Sequence, residues 1–96
     1  MTPIRRTHQA DEDIIEIYLH GARNFGIAQA ERYAAGLAEC SARIAERPHL
    51  ARERPELAPP VRLYPYRARM FAYVLDEEGV LIMRILGHRQ DWERHL

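Results

Sequence analysis

The chain has no lysine, and all 14 of its basic residues are arginine. The 14 acidic residues balance them, so the formal net charge at pH 7 is zero. A GC-rich genome accounts for such a bias. Arginine also suits bidentate contacts to carboxylates and phosphates, because its planar guanidinium presents several donors in a fixed geometry. The position of the arginines is therefore more informative than their number.

Cysteine and long apolar runs are scarce as well. Cys40 is the only cysteine, which excludes a disulfide within the chain and indicates a reducing cytoplasm. The longest apolar runs, residues 70–75 and 80–83, are far shorter than the roughly 18 residues of a membrane span. The first residues contain no apolar segment typical of a signal peptide. We expect one cytoplasmic domain over residues 1–96, without membrane association.

Residues that hold metals or cofactors are not grouped. The five histidines are scattered, and Glu16 and His20, one helical turn apart, have no third ligand nearby. The five glycines are isolated, which excludes a phosphate-binding loop. Cys40 lies within a predicted helix without a local activating residue. We therefore expect no metal and no cofactor.

Two helices are predicted in the first half. Thr7 is a suitable N-cap for a helix over residues 8–24, and a stripe at helical spacing indicates its buried face. Gly26 ends this helix, and a second one is expected over residues 27–47 and is stopped by Pro48. The predicted stripes are, for the first helix, Ile14, Tyr18, Ala22 and Phe25, and, for the second, Ile27, Ala30, Ala34, Leu37, Ser41 and Ile44.

Strand-like alternation surrounds this helical hairpin. Residues 3–7 indicate a short first strand, and residues 48–60 a proline-rich loop. Residues 61–66 and 67–74 alternate as strands, and residues 76–79 form a turn. Residues 80–86 indicate a strand covered on both faces. The order β-α-α-β-β-β predicts an α+β fold in which an antiparallel helical hairpin packs on a mostly antiparallel C-terminal sheet.

The later strands form a locally basic region. Arg62, Arg67 and Arg69 occur without an acid in residues 61–75, and Arg84 and Arg89 occur without one in residues 79–90. Such a region points to an acidic partner or to nucleic acid. Together with nearby tyrosines, the arginines have the chemistry to bind or cleave RNA, but arginines on a sheet also bind acidic partners or lie in water over their packed stems. The residues favour binding over catalysis.

Several segments, in this order, resemble ParE toxins of the RelE/ParE superfamily. These are residues 10–18 (ADEDIIEIY), residues 29–33 (QAERY), Pro48, the pair Glu56 and Leu57, and residues 80–91 (VLIMRILGHRQD). The last segment is similar to the closing strand of that family, which is followed by His-x-Arg-x-Asp. Gly87 departs from the pattern because it separates leucine from histidine, and residues 64–66 (YPY) replace a looser polar sequence.

The resemblance implies the toxin of a type II toxin–antitoxin (plasmid stabilisation) system. Such a toxin inhibits DNA gyrase by protein binding, is neutralised by a ParD-like antitoxin, and contacts DNA only indirectly through that antitoxin. We expect no catalytic residues. The antitoxin-binding residues are predicted to be Arg62, Arg67 and Arg69, and the target-binding residues Arg84, His88, Arg89 and Trp92.

Two alternatives remain. A ribosome-dependent mRNA endoribonuclease of RelE type would use Arg67, Arg84 and His88. The family's nuclease sites combine several lysines and arginines with a late tyrosine or histidine, and the absence of lysine favours the gyrase interpretation. A toxin-like fold that has lost its toxicity and only binds an antitoxin is the other alternative.

Overall fold

The computed structural model describes residues 2–54 and 60–87. Two helices and five strands follow one another in it: β1 Ile4–Arg6, α1 His8–Phe25, α2 Ile27–Glu46, β2 Glu53–Arg54, β3 Val61–Tyr66, β4 Arg69–Asp76 and β5 Gly79–Gly87. The sheet order is β1-β5-β4-β3-β2. All pairs are antiparallel except β1 with β5. The predicted α+β fold with a helical hairpin on a mostly antiparallel sheet is confirmed.

The helix boundaries lie close to the predicted positions, and their chemistry explains them. The hydroxyl of Thr7 caps α1 by accepting a hydrogen bond from the Ala10 N–H at 3.1 Å. Gly26 separates the helices with a φ of 91°, a conformation that glycine adopts without strain. Its N–H donates to the Ala22 carbonyl, and its own carbonyl accepts from the Ala30 N–H. Arg47 caps the end of α2, directly before Pro48.

The predicted loop over residues 48–60 was wrong at one point. Glu53 and Arg54 form the short edge strand β2, which pairs with Arg62 and Val61 of β3. Two residues are too few to show strand alternation, and only the pairing partner in the folded sheet makes them a strand. The predictions for Glu56 and Leu57 lie outside the described residues.

The core lies between the hairpin and the sheet. In α2 the side chains of Leu37, Cys40 and Ile44 are at most 3% exposed, so the core positions predicted for Leu37 and Ile44 are confirmed. Ile27 is 62% exposed, contrary to the prediction, because it begins α2 at the tip of the hairpin, beyond the sheet. The predicted α2 stripe therefore holds only from Ala30 onwards.

The buried face of α1 was also misplaced. Ala10 and Ile17 are the buried residues of this helix, whereas Phe25 is 66% exposed. The prediction followed apolar residues at helical spacing, and of these Ile14 does pack against the core. The close approach of the two helices, with Gly21 next to Ala30, places the adjacent face with Ala10 and Ile17 inward instead of the face with Phe25. As a result, Ile15 and Leu19 remain on the outer face of α1.

Strand β5 carries a bulge and is not covered equally on both faces. Val80 and Ile82 are fully buried, whereas Leu81 and Met83 are half-buried, so the predicted cover on both faces does not hold there; it holds at Ile85 and Leu86, which are both buried. Opposite Ala72 and Tyr73 the register jumps from Arg84 to Ile82, so Met83 is an extra residue in β5. A bulge of this kind bends a strand and redirects its side chains.

Candidate functional site

The end of the sheet nearest the hairpin tip carries two of the predicted arginines. Strands β3 and β4 are joined by the two-residue turn Arg67–Ala68, and Arg69 begins β4. Arg62 lies on β3, five residues before Arg67. Along an extended strand this separation is about 16 Å. Its guanidinium donates to the carbonyl of Ala51 at 2.6 Å. The fold therefore brings Arg67 and Arg69 together but separates them from Arg62.

Arg67 is the one non-glycine residue with a positive φ, 52°, among residues 2–54 and 60–87. Its guanidinium carbon lies 5.7 Å from the centre of the Tyr66 ring, and its Nε donates to the Tyr66 hydroxyl at 3.3 Å. A left-handed conformation is unfavourable for a residue with a Cβ, and such strain is concentrated at functional sites. The contacts with Tyr66 thus position the exposed guanidinium of Arg67 beside the β3–β4 turn.

Two aromatic side chains support Arg67. The rings of Tyr33 on α2 and Tyr66 on β3 meet edge to face, with centroids 5.9 Å apart at 63°. The Tyr66 hydroxyl lies against Gly36, where an added Cβ would collide with it. Gly36 thus leaves room for the Tyr66 hydroxyl against α2. Tyr33 and Gly36 were not predicted as site residues; the signals for Tyr33 were its place in the segment at residues 29–33 and its position beside the α2 stripe, and Gly36 had only the latter.

A groove of about 320 Å³ opens between the hairpin and this turn, and we call it the hairpin groove. Its lining is mostly apolar and includes Ile17, Phe25, Ala30 and Tyr33. Arg67 and Arg69 line its sheet side. An apolar floor beside two cations has the chemistry to receive an amphipathic segment that carries carboxylates.

A second cleft, of about 350 Å³, lies beside the hairpin groove and contains Arg84. The Asp13 carboxylate accepts two hydrogen bonds from the Arg84 guanidinium, from Nε at 2.9 Å and from Nη2 at 3.0 Å. The same carboxylate accepts from the backbone N–H of Ile85 at 2.9 Å. This bonding raises the pKa of Arg84 above its usual value. The positive charge of Arg84 is therefore matched within the chain.

These contacts close the edge of β5 beyond the end of β1. Strand β1 pairs only as far as Ile82. Beyond it, the Thr7 hydroxyl donates to the Met83 carbonyl at 2.6 Å, and Asp13 accepts from Ile85. The start of α1 thus replaces a neighbouring strand. This role of Asp13 was not predicted from the sequence, because an acid in the first turns of a helix is also typical of charge–dipole stabilisation.

The remaining candidates for chemistry have structural roles. The Tyr73 side chain is fully buried, donates to the Pro48 carbonyl at 2.9 Å and accepts from the Ala51 N–H. Burial raises the pKa of the Tyr73 phenol and of the Cys40 thiol, which keeps both groups protonated. Within the described ranges no cluster of ligating side chains is arranged for a metal ion. His88, Arg89 and Trp92 lie outside the described residues.

Comparison with solved structures gives a shared fold. The chain superposes on a structure from the chromosomal ParDE TA system of P. aeruginosa with a TM-score of 0.79 and 20% sequence identity. The alignment covers 91% of this chain and 96% of the other. The two proteins therefore share a fold. A search of curated proteins found no match. No helix within the described ranges is long and apolar enough to cross a membrane.

The family follows from the sequence profile. The model of the ParE toxin of the type II toxin–antitoxin system parDE matches residues 4–92. The match spans nearly the whole chain, and the protein belongs to this family of toxins.

Proposed function

We propose that this ParE-family toxin acts on DNA gyrase by protein binding, in the cytoplasm, and that a ParD-like antitoxin neutralises it. The observation that supports binding over catalysis is the pairing of Arg84 with Asp13. A ribonuclease of RelE type needs cations whose charge is available to the scissile phosphate in the transition state. Arg84 is one of the three residues that such a centre would use here, and its charge already faces a carboxylate.

For the antitoxin, we propose the hairpin groove as the binding site, with Arg67 and Arg69 as its charged contacts. The apolar lining suits one face of an amphipathic segment, and the two guanidinium groups suit acidic residues on that segment. The prediction from sequence also included Arg62. Because Arg62 bonds to the Ala51 carbonyl at the far end of β3, we assign it no direct contact in this proposal.

For gyrase, we propose contacts in the C-terminal part of the chain. Arg84, His88, Arg89 and Trp92 were the residues predicted from sequence for this role, and they follow one another closely. His88, Arg89 and Trp92 would supply the contacts. Arg84 would take part by holding the end of β5 against α1 through Asp13.

The choice of target is tested by comparing gyrase with translation. The purified toxin is expected to inhibit DNA supercoiling by gyrase, and its induction without antitoxin should damage DNA and leave messenger RNA intact. His88 and His95 are the two late histidines of the sequence and the late residues able to exchange protons near neutral pH, and the double substitution His88→Ala with His95→Ala should leave growth arrest in place. A general base of a ribonuclease would lose about 10²–10⁴-fold in rate on removal. Cut messages on the ribosome, together with loss of arrest in a folded double variant, would support the endoribonuclease instead.

The antitoxin site is tested by charge reversal. Arg67→Glu with Arg69→Glu should weaken the toxin–antitoxin complex and flatten its dependence on salt, mainly through slower association. The matched control is Arg47→Glu with Arg52→Glu, which reverses two exposed arginines near the opposite end of α2. Equal effects of both pairs would indicate general electrostatics and contradict the proposed site. Unchanged affinity for the first pair at every salt concentration would also contradict it.

A further inference from the structure

The outer face of α1 is an apolar ridge that the proposed function does not use. Ile15 is 57% exposed and Leu19 is 44% exposed, on the side of the helix opposite the buried Ala10 and Ile17. No element among residues 2–54 and 60–87 packs over them. Two large aliphatic side chains one helical turn apart form a continuous exposed surface, which is typical of a helix that meets another protein surface.

The charges beside the ridge are arranged by sign. Glu12 and Glu16 are exposed beside its N-terminal part, and Arg23 is exposed in the last turn of the helix. Glu12 and Arg23 are eleven residues apart, which is close to three full turns, so they project from the same side of α1. The ridge residues Ile15 and Leu19 lie between them. One helix face thus has an acidic end, an apolar centre and a basic end.

We propose that the α1 ridge binds the same ridge of a second copy of this chain, with the two helices antiparallel. A two-fold axis that lies between two antiparallel helices, perpendicular to them, reverses the direction of the helix. Side chains along one edge of the ridge in one copy therefore face side chains along the same edge in the other copy. The axis thus places Glu12 of one copy opposite Arg23 of the other. The midpoint of Glu12 and Arg23 falls between residues 17 and 18, and that of Ile15 and Leu19 falls at residue 17. In one register the aliphatic residues therefore meet each other and both charge pairs form.

The pairing is self-complementary, which is the property that a two-fold interface requires. A single face of an 18-residue helix, about 27 Å long, is small compared with the roughly 800 Å² per partner of a standard interface. We therefore expect a dimer that forms at micromolar concentrations and dissociates on dilution. Glu12 already bonds to His8 at 2.7 Å, and this exposed pair would be exchanged for the pair with Arg23.

The experiment measures mass by sedimentation equilibrium of the purified toxin over about 5–500 μM. The wild-type chain should shift from monomer to dimer across this range, and Leu19→Glu should remain a monomer. Ile27→Glu, which changes an exposed apolar residue of α2 outside both the ridge and the hairpin groove, should still dimerise and is the matched control. Thermal unfolding of each variant checks that the fold is intact.

A charge exchange tests the register. Glu12→Arg and Arg23→Glu alone should each weaken self-association about tenfold or more, because like charges then face each other. Mixed together, the two single variants should form a heterodimer, since each supplies the charges that the other lacks. The double variant Glu12→Arg with Arg23→Glu should again self-associate.

Three results would overturn this proposal. One is a wild-type chain that is monomeric throughout the range, and another is a dimer that Leu19→Glu leaves intact. The third is a folded Leu19→Glu variant that loses antitoxin or gyrase binding while the wild-type chain remains a monomer, which would assign the ridge to that partner. Gyrase inhibition by a monomeric Leu19→Glu variant would leave the proposed function intact, so the two proposals can fail separately.

Discussion

Replacement of Asp13 by alanine should be among the most destabilising changes of a charged residue in this protein. The carboxylate is 11% exposed and accepts three hydrogen bonds, two from Arg84 and one from the Ile85 N–H. Its removal leaves a guanidinium that is only 18% exposed without its partner, and a backbone donor without an acceptor. Breaking a buried ion pair from one side costs about 3–5 kcal/mol.

The expected cost for Asp13→Ala is about 2–4 kcal/mol, below the upper end of that range because Arg84 retains some access to water. For a domain of this size each kcal/mol lowers the unfolding midpoint by about 4–8 °C. Asp13→Asn should cost less, about 1–2 kcal/mol, because its amide oxygen still accepts from the Ile85 N–H. Asp13→Ala combined with Arg84→Met should be less destabilising than Asp13→Ala alone, because no unpaired charge remains.

The assay is urea denaturation followed by circular dichroism, with Glu12→Ala as the control. Glu12 is an exposed acid one residue away whose carboxylate pairs with the exposed His8, and its loss should change the free energy of unfolding by less than about 0.5 kcal/mol. If Asp13→Ala unfolds at the same denaturant concentration as Glu12→Ala, the start of α1 does not hold the edge of β5 as described.

Three further outcomes are expected. Leu37→Ala should lower the free energy of unfolding by about 2–5 kcal/mol, whereas Ile27→Ala, at an exposed position, should change it by less than about 0.5 kcal/mol. Equal changes for the two variants in urea denaturation would show that the buried and exposed faces of α2 are misassigned. Arg67→Gly should preserve or raise the thermal midpoint, because glycine relieves the positive φ, and yet weaken antitoxin binding about tenfold or more; unchanged binding in a calorimetric titration would remove Arg67 from the site. The raised pKa of Tyr73 means that the folded state keeps the phenol proton up to a higher pH than the unfolded chain does. The free energy of unfolding should therefore be constant below about pH 10 and fall at higher pH, with a shallower fall in Tyr73→Phe. Identical slopes for the two proteins would refute this.

Local chemistry made the order of elements predictable. Helix capping and helix termination depend on neighbours in the chain, so Thr7, Gly26 and Pro48 were sufficient to place the helix ends to within a residue or two. Strand alternation likewise showed β3 and β4. The two-residue strand β2 was not predictable, because its definition depends on Arg62 and Val61 across the sheet.

The buried face of α1 depended on the packing of one helix against the other. Sequence periodicity shows that a stripe exists, but when apolar residues occur on several sides of a helix it does not show which side is buried. Here the close approach at Gly21 and Ala30 buries Ile17 and leaves Ile15 and Leu19 outside. The same packing of α1 against α2 leaves the α1 ridge exposed. From the spacing of apolar residues alone, Ile15 and Leu19 could not be distinguished from core residues.

The sequence by itself determined the fold class, the family resemblance and the concentration of arginine in the later strands, because these are properties of residue order and composition. Only the tertiary structure decided which arginines lie close together and which are paired within the chain. Arg67 and Arg69 lie close together at the β3–β4 turn, whereas Arg62 donates a hydrogen bond to the Ala51 carbonyl. Arg84 is paired with Asp13, 71 residues earlier in the chain. A charge is available to a partner only if no opposite charge has been folded against it, and that depends on contacts between residues distant in sequence.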